Sequence, residues 1–319
     1  MPALRYFLRR NAPVLAVLLA LWPLNLALNH WLNPYYLQIA VLIGINVILA
    51  ASLNLINGVT GLFSLGHAGF LAIGAYVSAA ATLAAGPQAH GPAMLLLALL
   101  AGGTAAGAAG LLIGIPTLRL RGDYLAIATL GFGEIIRVVI LNTEAVGGAR
   151  GLVGIPTLAG FGSVYACAVV CVVVLWRLVY SQRGAAFFAI REDEVAAAAM
   201  GIDTTRYKIL AFTIGAFWAG LAGALFAHFI GYLHTNSFTF LRSVEIVVMV
   251  VLGGLGSFSG SVLAAAVLTI LPEALRFGAE YRMVIYAVLL IALMLTRPAG
   301  LMGGREITAW LSSSSTTVR

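Results

Sequence analysis

Apolar residues run along this chain in long tracts, separated by short polar or glycine-rich stretches. Taken in order, the tracts cover 13–32, 37–56, 62–85, 93–115, 124–142, 161–180, 208–230, 243–272 and 282–297. Most reach the length of about 20 residues that an α-helix needs to cross hydrocarbon. The pattern predicts an all-α fold: a polytopic helical bundle embedded in a membrane, forming one domain over 1–319 with about eight to ten spans.

Two places depart from simple spans. Segment 243–272 is too long for one crossing and is cut by GGLGSFSG at 253–260, which predicts two shorter or re-entrant pieces. A second break, NGVTGLFSLGHAG at 57–69, has neither Arg nor Lys, unlike an ordinary cytoplasmic loop. Non-helical backbone at membrane depth survives only inside protein or beside a wet cavity. Broken helices of this kind build substrate sites in transporters. Small residues at such places also serve close helix packing. Both readings stand at this point.

Composition agrees with the membrane reading. The 319 residues are 61% hydrophobic and 9% charged, with a net charge of +7. Arginines retained on the cytoplasmic side explain the excess of positive charge, so nucleic acid is not an expected partner. Arg5, Arg9 and Arg10 predict a cytoplasmic N-terminus ahead of a retained first span, and the split in 243–272 restores an even count that brings the C-terminus inside. The same count places Arg119, Arg121 and the 181–207 loop inside.

That loop concentrates the charge. Arg183, Arg191, Glu192, Asp193, Glu194, Asp203, Arg206 and Lys208 all fall within SQRGAAFFAIREDEVAAAAMGIDTTRYK at 181–208. The acids at 192–194 suit a helix N-terminus, Val195 to Met200 continue it, and Gly201 ends it. One helix of roughly a dozen residues is expected, marginal by itself in water. Phe187, Phe188 and Ile190 would expose apolar surface unless covered. The segment either docks on a soluble partner or lies on headgroups as a solvated connection.

Within the tracts, Glu134 and Arg137 share a helix face and can pair. They either hold helices together or line a path. Glu245 and Arg242 are expected at the interface. Asn46, Asn54 and Asn57 are expected to bond neighbouring helices. Asn54, Asn57, Ser64, His67, Glu134, Gly253 and Gly254 are the path candidates, weakly polar and suited to a neutral or zwitterionic solute. A lone histidine is no metal site. Cys167 and Cys171, at helical spacing without a nearby ligand, are packing residues. Lys208, the sole lysine, follows no phosphate-binding glycine loop, and no nucleophile elbow exists. No catalytic residue, bound cofactor or metal is expected.

The run SLNLINGVTGLFSLGHAGFLAIGAY at 52–76 resembles the signature of the inner-membrane permeases of high-affinity branched-chain amino acid ABC importers. So do LRLRGDYLAIATLGFGEIIRVV at 118–139, GGARGLVGIP at 147–156, RGAAFFAIREDEVAAAAMGIDTTRYKILAF at 183–212 and VVLGGLGSFSGSVLAAAVL at 250–268. The chain is most similar to the LivM-type subunit. The resemblance implies a periplasmic binding protein, a second, LivH-like permease, and two cytoplasmic ATPases that use ATP and magnesium. It makes Ala189 to Gly201 a coupling helix. Arg191, Glu192 and Glu194 would then make its polar contacts with an ATPase, Phe187 and Phe188 its apolar ones, and Gly201 its end. Related permeases carry urea or short amides, which leaves the cargo open. A stand-alone secondary transporter is the competing class.

Overall fold

The computed structural model describes residues 33–86, 90–118, 120, 122–275 and 300–302, with isolated positions between 21 and 25 and between 285 and 296. The tracts 13–32 and 282–297, both termini, and Arg119 and Arg121 lie wholly or largely outside the described residues.

Among the described residues, ten α-helices follow one another. They are α1 (Pro34–Asn54), α2 (His67–Ala84), α3 (Pro92–Thr117), α4 (Asp123–Leu141), α5 (Phe161–Val179), α6 (Ala185–Glu192), α7 (Glu194–Ala199), α8 (Thr204–Ile230), α9 (Phe240–Gly253) and α10 (Phe258–Ala274). Among the described residues, seven helical segments are long and apolar enough to cross a membrane, and α10 is a shorter apolar helix. The expected split of 243–272 is present, with Gly254 to Ser257 between α9 and α10.

Sequence chemistry sets several ends. Pro34 stands in the first turn of α1, where its missing N–H costs nothing, and the Asn33 side chain accepts from Tyr35 N. Asp203 caps α8 by accepting from Arg206 N, and Ser257 caps α10 by accepting from Gly260 N. The α1 helix runs on through one π-turn, Leu55–Val59, before the chain leaves helical geometry. Every residue from Gly44 to Thr60 is buried, so this helix is the centre of the bundle.

α8 packs most extensively against α2 and α3, and α1 lies among α5, α8, α9 and α10. The crossing of α2, α3 and α8 is built on glycine. A Cβ on Gly102 would lie 2.6 Å from the Gly74 carbonyl oxygen, and one on Gly220 would lie 2.6 Å from the Gly102 carbonyl oxygen. Backbones this close gain dispersion contacts that larger residues forbid.

The 181–203 loop differs from the single helix expected at 189–201. It is two helices, α6 and α7, joined at Asp193. The Asp193 side chain accepts from Val195 N and Ala196 N, which caps α7 and leaves Asp193 itself extended. Gly201 ends α7 in the left-handed conformation, at φ 85°.

The glycine crossing yields a stability prediction. Gly74→Leu should lower the thermal midpoint of the detergent-solubilised protein, since overpacking costs about 1–3 kcal/mol or more. Gly131→Ala, in an α4 position with open space around it, should leave the midpoint unchanged or raise it. Equal melting of Gly74→Leu and the unaltered protein would refute the close crossing.

Candidate functional site

The two glycine-rich breaks, some two hundred residues apart in sequence, meet. Asn54, fully buried near the end of α1, accepts a hydrogen bond from Gly256 N at 2.9 Å. Gly58 fits beside both: a Cβ there would collide with the Asn54 side chain and the Gly256 backbone. The loop returning from α1 is closed by Asn57, whose side chain accepts from Ser64 N at 3.2 Å and donates to Ser64 O at 3.4 Å. Gly253 packs against Gly260, where a Cβ would lie 2.6 Å from the Gly260 carbonyl oxygen, and Gly254 turns the chain at φ 104°. The close-packing reading of the breaks therefore holds. Their glycines are close-packing positions, and they are also irregular backbone inside the protein.

Arg191 of α6 reaches this junction. Its Nη1 donates to the Gly58 carbonyl oxygen at 3.0 Å, and its Nε and Nη2 donate to Glu192 Oε1 at 3.2 and 2.8 Å. Its stem packs on Gly61, where a Cβ would lie 2.8 Å from Arg191 Cγ, and its guanidinium lies beside Gly256. The bond to Gly58 has a simple cause. The last carbonyls of a helix lack intrahelical partners and carry the negative end of its dipole. The guanidinium is a C-terminal cap for α1 supplied by a different helix.

A second tie joins α7 to α8. Lys208 Nζ lies 2.6 Å from Glu194 Oε1, with only 7% of the lysine side chain exposed. Breaking such a buried pair by removing one partner leaves a buried charge uncompensated. The loop is thus fastened to α1 through Arg191 and to α8 through Lys208.

These contacts change the roles expected of several loop residues. Phe187 is 1% exposed and meets Tyr207 of α8 edge-on at 5.5 Å, so its apolar surface is covered by this chain and not by a partner. Phe188 is half-buried beneath the Arg191 guanidinium, 5.7 Å from its ring centre. Glu194 and Arg191 spend polar atoms inside the chain. Among the outward-facing positions are Glu192, Val195 (68% exposed) and Met200 (83% exposed). Val195 and Met200 were hidden in the sequence, where they read as ordinary helix formers.

The remaining path candidates gather at the start of α2. His67 Nε2 lies 2.9 Å from Ser52 Oγ of α1, and Thr129 Oγ1 of α4 accepts from Leu65 N at 3.0 Å. Ser243 Oγ of α9 accepts from Ala68 N at 3.0 Å. His67 Nδ1 and Ser64 Oγ are buried without a protein partner. Glu134 pairs with Arg137 at 2.7 Å and lines a small space beside Ser243 and Ala68. Asn46 bonds neighbouring helices as expected: it donates to Thr269 Oγ1 of α10 and accepts from Arg242 of α9.

Comparison with known proteins agrees with this architecture. The family model described as "Branched-chain amino acid transport system / permease component" matches residues 35–294. The high-affinity branched-chain amino acid transport system permease protein LivM of Salmonella typhimurium is 38% identical over 89% of this chain and 74% of its own length. LivM of Escherichia coli K12 is 39% identical over the same shares. The LivH permease of Escherichia coli K12 is 36% identical over 40% of this chain and 42% of its own. No solved structure matches. The match runs through both glycine breaks and the whole charged loop, and the chain belongs to the family of permease components of branched-chain amino acid transport systems.

Proposed function

We propose that this chain is one of two permease subunits of an ATP-driven importer for branched-chain amino acids. In this reading a periplasmic binding protein delivers the solute and a LivH-like second permease completes the path. Two cytoplasmic ATPases bind and hydrolyse ATP with magnesium. The chain itself contributes no catalytic residue and binds no cofactor. It is a multi-pass protein of the bacterial inner membrane with both termini and the 181–207 loop in the cytoplasm.

The observation that carries this reading is the double fastening of the charged loop. A loop that served only as a connection needs no buried charge pair and no reach into a helix break. Here α6 holds Gly58 through Arg191, and α7 holds Lys208 through Glu194. An ATPase seated against Glu192, Val195 and Met200 would move α6 and α7 together. That displacement would pass to the π-turn of α1, to the facing Gly256 and to the base of α8. The breaks are where α1 and the α9–α10 hairpin depart from rigid helix, so they are where the bundle bends most readily.

Uptake of labelled leucine and urea tests the reading. Proteoliposomes would hold this chain with its partner permease and ATPases, binding protein outside and ATP inside or omitted. ATP-dependent leucine uptake is the expected result. ATP-dependent urea uptake would change the cargo, and uptake by this chain alone without ATP would refute the importer.

The two fastenings give separable outcomes. Arg191→Ala should leave the assembly intact and ATP hydrolysis active while leucine uptake falls roughly tenfold or more, the worth of a charge-assisted hydrogen bond. Arg191→Lys should recover part of it, because one of the fork's contacts survives. Met200→Glu should instead release the ATPases, read by co-purification. Full uptake in Arg191→Ala would show that the loop transmits nothing through Gly58.

A further inference from the structure

The face between α1, α9 and α10 carries a polar network that neither the loop nor the breaks require. Arg242 stands in the first turn of α9 with Glu245 one turn further on. Arg242 Nη1 donates to Glu245 Oε2 at 2.8 Å, and its Nη2 donates to Asn46 Oδ1 on α1 at 2.6 Å. Asn46 is buried and donates through Nδ2 to Thr269 Oγ1 on α10 at 2.7 Å. Three helices thus hold one guanidinium in a fixed orientation.

The network opens on a cavity of about 430 Å³, whose apolar wall includes Leu42, Phe226, Met249 and Leu268, with Ser237 at its edge. That volume lies in the usual range for small-molecule sites. The side chain of Glu245 is 48% uncovered by this chain and that of Arg242 22%. Asn46 lies twelve residues into α1, about 18 Å from its start at 1.5 Å per residue, so the network sits at membrane depth. Charge left open to acyl chains there is expensive, so the cavity faces water or another polypeptide.

We propose that this cavity is a binding site for a zwitterionic α-amino acid with an aliphatic side chain. The carboxylate of the ligand accepts from Arg242, whose planar fork suits two parallel hydrogen bonds. The ammonium donates to Glu245, and the side chain lies on the apolar wall. Asn46 is a positioning residue that aims the guanidinium. A pair built only to staple α9 to itself would need neither the bond to a buried Asn on α1 nor the cavity. A neutral solute such as urea would meet both charges without offsetting either. The choice of cargo rests on the importer reading above.

Binding is measurable apart from transport. In the full complex with Cys167→Ala and Cys171→Ala, Ser237→Cys provides a reporter thiol at the cavity edge. Its labelling by a maleimide is timed with and without millimolar leucine. Leucine should slow labelling several-fold, whereas 4-methylpentanoate, which lacks the ammonium, and isopentylamine, which lacks the carboxylate, should not. Adding Glu245→Gln or Arg242→Gln should abolish protection and cut leucine uptake about tenfold, while the complex still assembles and hydrolyses ATP. Unprotected labelling, equal protection by all three compounds, or protection that survives both substitutions would overturn the site. Protection by leucine without ATP-dependent uptake would keep the site and refute the importer. ATP-dependent uptake without protection would do the reverse.

Discussion

A helix that ends in the buried interior of a protein must find partners for every backbone group it releases, because no bulk water is at hand. The organisation of this protein follows from that constraint at the end of α1. Thr60 N and the Thr60 hydroxyl both donate to the Leu55 carbonyl, and Leu62 N donates to that of Ile56. Asn57 takes both backbone groups of Ser64, and Arg191 takes the carbonyl of Gly58. The returning chain then gives Leu65 N to Thr129 and Ala68 N to Ser243. Side chains from α4, α6 and α9 are recruited to complete one interruption in α1. The break is thereby a point where distant elements are held together.

The same constraint explains why the second break sits against the first. Gly256 N, released between α9 and α10, is satisfied by the Asn54 side chain, and glycine at 58 and 256 lets the two backbones approach. The carbonyl of Leu252, at the end of α9, accepts from Leu301 N at 2.7 Å. Neither break is complete alone. Arg191 therefore caps α1 where α1 already bears on the α9–α10 turn.

Much of this was legible in the sequence for a physical reason. A membrane allows few backbone solutions, so apolar tracts map onto spans nearly one to one, and glycine clusters in them mark breaks. The tract 37–56 became Pro34–Val59, and 243–272 divided where its glycines lie. Pairings that join distant segments were not legible. Nothing local tells that Arg191 reaches Gly58, that Lys208 meets Glu194, or that Phe187 is covered by Tyr207. The charged loop read as one helix in water, docked on a partner or lying on headgroups, because its composition favours water. Asp193 broke it in two, since a short acid that can take two free N–H groups starts a helix more readily than it continues one. Arg242 and Glu245 read as interfacial because α9 seemed to begin at a membrane surface. The bond from Arg242 to Asn46, twelve residues into α1, and that from Ala68 N to Ser243 set this end of α9 against the middle of α1 and the start of α2.

The distribution of charge is therefore more informative than its amount. Lys208 is almost fully covered by this chain and is matched by Glu194, which suits a fastening that stays closed. Arg242 and Glu245 are matched to each other yet left partly open, and Arg242 is oriented by a buried amide on another helix. A buried cation matched by a carboxylate favours permanence, whereas a pre-oriented pair with uncovered surface retains unspent hydrogen-bonding capacity. In a medium as hostile to charge as the bilayer interior, that capacity has to be met from outside the chain, by water, by a second polypeptide or by a ligand of matching charge.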